Sequence, residues 1–115
     1  MKFVNKEDFL KLPEGILFCE YSPKYRNLGE VCVKKQSIED DFFYSPLFQL
    51  PESIVVAMAR DTNYSFSLED YTYRDGPLNS EHLYMIFETP DINAILHTLE
   101  KGRLWTNHNI RSMVN

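Results

Sequence analysis

The alternation of apolar and polar residues predicts strands early in the chain, and helical spacing of apolar residues takes over at both ends. Asn5 is a good N-cap with Asp8 three places on, so a short helix is expected over about residues 6–11, stopped by Pro13. Leu12-Pro13-Glu14-Gly15 then reads as a turn, with the glycine placed for positive φ. Ile16 to Tyr21 and Leu28 to Lys34 read as two strands joined by Ser22-Pro23-Lys24-Tyr25-Arg26-Asn27. Phe18 on the first, and Val31 and Val33 on the second, are expected to point inward. A hairpin centred on that loop opposes residues whose numbers sum to about 51. Phe18 then faces Val33 and Cys19 faces Cys32.

Further along, Ser37 is a candidate cap for a turn at Glu39-Asp40-Asp41, and Phe42-Phe43-Tyr44 reads as a buried edge strand ended by Pro46. The run from Pro51 to Arg60 is ambiguous. Proline at its start and the Ala-Met-Ala-Arg finish favour a helix, against the strand preference of Ile54-Val55-Val56. Tyr64 to Leu68 and Leu83 to Glu88 alternate like strands, with a turn-rich loop over 74–79 between them. The clearest element is a helix over about 90–101, capped by Thr89, with Pro90 at its first position, Asp91 in its first turn and Gly102 after its end. Ile92, Ile95, Leu96 and Leu99 form its apolar stripe. Leu104 and Trp105 are expected to return to the core or extend a sheet, and the tail from Thr106 to be loose. Without a repeating strand–helix–strand rhythm, the pattern predicts an α+β fold. The expected architecture is a small bent antiparallel sheet or SH3-like barrel with the C-terminal helix packed across it.

With 115 residues, the chain has the length of a single domain, and its 43% hydrophobic and 25% charged residues argue against wholesale disorder. One domain is therefore expected over 1–115. No apolar run reaches the ~18–20 residues of a membrane-spanning helix, and acids stand near the start where a signal peptide has its apolar core. A cytoplasmic protein without a membrane partner is expected. The net charge of −5 is unevenly spread: residues 37–100 carry twelve acids against Arg60 and Arg74, while 101–115 carry three bases and no acid. Duplex nucleic acid is thus an unfavourable partner, since phosphate neutralisation needs a dense basic footprint. The acidic middle is either a solvated face or a surface for a basic protein partner.

Seven Tyr, eight Phe and one Trp raise the aromatic share to 14%, and the tyrosines, mostly flanked by polar residues, are expected at half-buried rims. Two loops combine groups suited to binding. Lys24, Tyr25 and Arg26 offer two cations and a ring, and Tyr71, Tyr73 and Arg74 offer two rings and a guanidinium. Aromatic faces hold bases, and arginine forks hold phosphate oxygens. The alternative for each is an ordinary surface turn, with Arg74 paired to Asp75 or Asp70. Catalytic signals are weaker. The expected register puts Cys19 and Cys32 within reach of a disulfide, but the stronger reading is two small buried side chains or free thiols, and Glu20 and Glu30 nearby would raise rather than lower their pKa. His82 beside Glu81, with Asp75 a short loop away, is the one imaginable acid–base pair. His82, His97 and His108 lack metal-ligand spacing, and Glu39-Asp40-Asp41 sits in no calcium loop. No catalytic residue, metal or cofactor is assigned.

Leu12-Pro13-Glu14-Gly15-Ile16-Leu17-Phe18, Asp41-Phe42-Phe43-Tyr44 and Arg74-Asp75-Gly76, ahead of an Asp91-led final helix, resemble segments of small uncharacterised proteins of tailed-phage and prophage genomes. That resemblance implies an accessory or anti-defence factor in the host cytoplasm and carries over no catalytic residue. The function expected is therefore a non-enzymatic binding protein for a small anionic or nucleotide-like ligand. The alternative is an acidic interaction or inhibitor module acting on a host protein, with a small hydrolase-type enzyme third. A homo-oligomer is expected in any of these.

Overall fold

A computed structural model describes residues 1–47, 59–60, 72–76 and 81–110. The chain is α+β and divides into two compact units, Phe3–Ile86 and Phe87–Asn115 with Met1–Lys2. Among the described residues its sheet has six strands: β1 (Lys2–Val4), β2 (Leu17–Ser22), β3 (Asn27–Ile38), β4 (Asp41–Pro46), β5 (Tyr73–Arg74) and β6 (Leu83–Ile86). They lie in the order β1-β6-β2-β3-β4-β5, and β2–β3, β2–β6, β3–β4 and β4–β5 all pair antiparallel. The sheet is open, not closed into an SH3-like barrel. β4 is paired on both sides rather than standing at the edge. The strand expected over 64–68 and all but the last two residues of the helix expected over 51–60 lie outside the described residues; Ala59 and Arg60 are helical.

Helix α1 (Lys6–Leu10) forms where its cap requires: the Asn5 side chain accepts a hydrogen bond from the Asp8 N–H at 2.8 Å. Its Phe9 is fully buried and stacks on Tyr84 with ring centres 4.6 Å apart. Phe18 and Phe42 close around it at 4.7 and 4.8 Å. With Cys32 and Ile86 these four rings make the core. Gly15 adopts φ +94°, as its turn requires.

The β2–β3 register is displaced by one residue from expectation, with Leu17 opposite Val33, Phe18 opposite Cys32 and Cys19 opposite Val31. A one-residue slip exchanges the faces of a strand. Cys32 and Lys34, not Val31 and Val33, therefore share the Phe18 face and are buried, while the two valines are half-buried. The hairpin absorbs the shift in its turn, where Arg26 takes φ +51°, and in an irregularity of β2 between Cys19 and Tyr21. The two cysteines are buried free thiols. Burial raises the Cys19 pKa and, with Glu30 nearby, pushes Cys32 up to about 12.

In the second unit, helix α2 runs over Thr89–Trp105, and residues Thr106–Ile110 continue it as a wider π-helical turn. The cap is Glu88 rather than Thr89: the Glu88 N–H donates to the Asp91 carboxylate at 2.8 Å, and the Met1 amino group pairs with Asp91 at 2.7 Å. Gly102 does not end the helix. An Arg103–Glu100 pair bridges its last turns, and Leu104 and Trp105 stay on it as exposed side chains instead of returning to a core. No helix among the described residues is long and apolar enough to cross a membrane.

Candidate functional site

Two clusters of polar side chains stand out in the sheet unit. The first is a buried ion network. Lys6, at the first turn of α1, sends its ammonium to Asp41 at 3.1 Å, Asp75 at 3.0 Å and the Gly76 carbonyl at 2.9 Å. The Asp41 carboxylate also accepts from Arg74 Nε at 2.6 Å and from the Gly76 N–H, and Tyr84 donates to Asp75 at 2.8 Å. Asp41 is thus no solvated turn residue, as its place after Glu39 and Asp40 suggests, but 1% exposed. Burial alone would raise its pKa, yet hydrogen bonds from Arg74, the Phe42 backbone and Lys6 outweigh that and bring it down to about 2. Tyr84, expected among the rim tyrosines, is wholly buried. Every charge in this network has an internal partner, so its chemistry is that of a clasp between α1, the start of β4 and the end of β5.

The second cluster lies where β2 meets β6. Glu20 faces Tyr84 across the two strands, and continuing that register sets His82 opposite Ser22 and diagonal to Glu20. There the Glu20 carboxylate accepts from His82 Nδ1. The pairing puts the proton of a neutral imidazole on Nδ1 and leaves Nε2 as the acceptor. Burial raises the Glu20 pKa against the lowering effect of His82, and the negative charge of Asp75 raises it further. His82 lines a cleft of about 210 Å³ together with Ser22, Pro23, Lys24, Tyr25 and Glu81. The Lys24 ammonium lies 5.3 Å from the centre of the Tyr25 ring, and Tyr25 is 73% exposed. The cleft therefore presents an ammonium, a π-face, a hydroxyl, a carboxylate and an oriented imidazole within one small space.

The expected binding residues divide between these clusters. Lys24 and Tyr25 line the cleft, and Arg26 holds the left-handed position of the same turn. Tyr73 lies in β5 against Tyr44, ring centres 5.9 Å apart, and Arg74 pairs with Asp41; Asp70, one of the two acids expected to pair with it, lies outside the described residues. Tyr71 lies outside the described residues. Tyr73 faces Tyr44, which faces Lys34, and Lys34 is seven residues along β3 from Asn27. At ~3.3 Å per residue, the two loops are thus about 23 Å apart and do not form one small pocket. Glu20 was not visible as a site residue, because its meeting with His82 is made by a strand pair 62 positions apart in sequence. The partner expected for His82 was Glu81 or Asp75.

A larger concavity of about 440 Å³ is lined by Glu14, Lys35, Gln36, Phe43 and Thr72, and none of Lys24, Tyr25, Arg26, Tyr73 and Arg74 is among these described lining residues. Among the described residues, no group of three or more His, Cys, Asp and Glu is placed to hold a metal ion. No protein-family model matches the chain, and no curated protein or solved structure matches it either.

Proposed function

We propose that the protein is a non-enzymatic binding protein that takes a small, anionic, nucleotide-like ligand in the cleft beneath the β2–β3 turn. The observation that carries this reading is the convergence of Lys24, the exposed Tyr25 ring and the Glu20-held imidazole of His82 on one cleft. A base stacks on Tyr25, a phosphate oxygen meets Lys24, and His82 Nε2 accepts a hydrogen bond from a ring N–H or amino group. At about 210 Å³ the cleft is smaller than the ~300–1,000 Å³ of pockets for drug-sized ligands, which suits a mononucleotide held partly outside it. A phage accessory that withholds a host nucleotide, the setting implied by the resemblance in the sequence, has use for such a site. An acidic interaction face draws less support, because Asp41 and Asp75 spend their charge on Lys6 and Arg74.

Calorimetric titration of the full chain with purine and pyrimidine mononucleotides, and with inorganic phosphate alone, tests the reading. Loss of stacking in Tyr25→Ala is worth about 1–3 kcal/mol, or roughly 5- to 150-fold in affinity. His82→Gln should also weaken binding, and Arg74→Ala should leave it unchanged. Absence of binding at millimolar mononucleotide, or wild-type affinity in both Tyr25→Ala and His82→Gln, would end the proposal.

A further inference from the structure

We propose that the concavity beside Lys35 and Phe43 is a second binding site, which takes a free α-amino acid with an aromatic or large apolar side chain. All its described walls, Glu14, Lys35, Gln36, Phe43 and Thr72, belong to the Phe3–Ile86 unit. At about 440 Å³ it falls within the ~300–1,000 Å³ of small-molecule sites, a range that the cleft at His82 does not reach.

Two irregularities of the sheet build it, one on each side of Lys34. Lys34 pairs with Tyr44 and Ser37 with Phe42, so Lys35 and Gln36 together oppose Phe43 alone. Such a bulge re-aims the side chains of the longer strand, and here it brings an ammonium and an amide to one concavity with the Phe43 ring. On the other flank of β3, the Gly15 N–H donates to the Lys34 carbonyl and the Lys34 N–H to the Ile16 carbonyl, each at 2.8 Å. Gly15 and Ile16 thus share one partner, a second bulge that opens with a glycine at φ +94°. That bulge ends the ladder and leaves Glu14 as the wall facing Lys35 and Gln36. Thr72 closes the far side, its hydroxyl 3.4 Å from that of Ser45. Bulges concentrate next to functional sites, and this concavity has two.

The chemistry of the walls selects the ligand. Lys6 and Asp41 neutralise each other, but among the described residues neither the Lys35 ammonium nor the Glu14 carboxylate has a hydrogen-bond or ion-pair partner. They stand on neighbouring segments, ~4.8 Å apart in the hydrogen-bonding direction, and Phe43 lies one strand further on. One carbon of an α-amino acid bears an ammonium, a carboxylate and a side chain, so all three walls are met at once. The ammonium donates to Glu14, the carboxylate accepts from Lys35, and the side chain packs on the Phe43 ring. A phosphate or a dicarboxylate brings extra negative charge toward Glu14, and a wholly apolar ligand leaves both charged walls unmatched.

Backbone amide chemical shifts of the isotope-labelled full chain test this, titrated with L-phenylalanine to about 20 mM, well above a millimolar Kd. Lys35, Gln36, Phe43 and Thr72 should respond, and Lys24 and Tyr25 should not. Phenylacetate, which lacks the ammonium, and phenethylamine, which lacks the carboxylate, should each bind about tenfold more weakly. Lys35→Met should erase the preference for phenylalanine over phenethylamine, and Glu14→Gln the preference over phenylacetate. A merely structural role for either side chain would not move these preferences, and the remaining amide shifts report whether each variant is folded. Tyr25→Ala, which tests the nucleotide cleft, should leave phenylalanine binding unchanged, so the two sites stand or fall separately. No response to phenylalanine overturns the proposal. So does a response confined to the His82 cleft, equal binding of the three compounds, or wild-type preferences in both Lys35→Met and Glu14→Gln.

Discussion

Replacing Asp41 with Asn should cost this small protein a large part of its stability, with an acid dependence that identifies the cause. The carboxyl, ordinarily titrating near 3.8, is held at about 2 in the folded chain. Each pKa unit is about 1.4 kcal/mol, so the ionised form contributes about 2.5 kcal/mol relative to the unfolded chain. Its side chain is 2% exposed, so solvent screens this little. Because the folded pKa lies below the unfolded one, the contribution is complete above about pH 4 and drains away as pH falls through 2. The Asp41→Asn amide keeps one acceptor but turns an NH₂ group toward donors, the Arg74 Nε–H or the Gly76 N–H. It also removes one of the two carboxylates that hold Lys6 among the described residues, leaving Asp75 and the Gly76 carbonyl there. Removing one member of a buried ion pair commonly costs about 3–5 kcal/mol. Domains of this length are stable by roughly 6–17 kcal/mol at ~0.05–0.15 kcal/mol per residue, so the variant should be markedly weakened. Urea unfolding followed by circular dichroism at pH 7, repeated down to pH 2, measures both effects. A loss under about 1 kcal/mol at pH 7, with the wild-type decline below pH 4 intact in the variant, would refute the reasoning.

Two further outcomes follow from buried groups. Lys34 is 1% exposed, with its ammonium bonded to the Lys35 carbonyl and the Ser37 hydroxyl, and burial lowers its pKa below 10.5. A base so shifted makes the folded state gain stability as pH rises toward the unfolded pKa, a rise that the difference between wild type and Lys34→Met should show directly. Lys34→Met itself should be neutral or stabilising at pH 7, and a loss above about 2 kcal/mol would count against that account. Cys19 and Cys32, with raised pKa values and deep burial, should resist iodoacetamide at pH 8 until the chain is unfolded, then take up two labels. Prompt labelling of either thiol in the native protein would contradict their placement.

The elements with a local cause were legible. Asn5 and Asp8 specify the start of α1 through one short hydrogen bond, Gly15 supplies the turn, and the stripe from Ile92 to Leu99 specifies a helix. Where expectation missed, the deciding interaction is distant. Pairing the two strands about their loop set Val31 and Val33 inward, whereas a cysteine and a lysine, Cys32 and Lys34, hold those core positions. Nothing adjacent to Lys34 announces that Ser37 and the Phe9 ring receive it. The helix end was set at Gly102 by its preference for turns, but glycine's cost within a helix is only ~1 kcal/mol and does not terminate one alone.

Among the candidate binding residues, Lys24 and Tyr25 were visible because residue type and a turn place them at a surface without help from the rest of the fold. Glu20 and the true role of Arg74 were not. Both depend on strand pairing that joins residues 62 and 33 positions apart. The sequence by itself determined the α+β class and the existence of two capped helices, since propensity, capping and hydrophobic pattern act within a few residues. Only the tertiary structure decided which face of β3 is buried, which acids meet Lys6 and which carboxylate orients His82. Such choices turn on a one-residue register and on desolvation, and both are set by the whole sheet rather than by any segment of it.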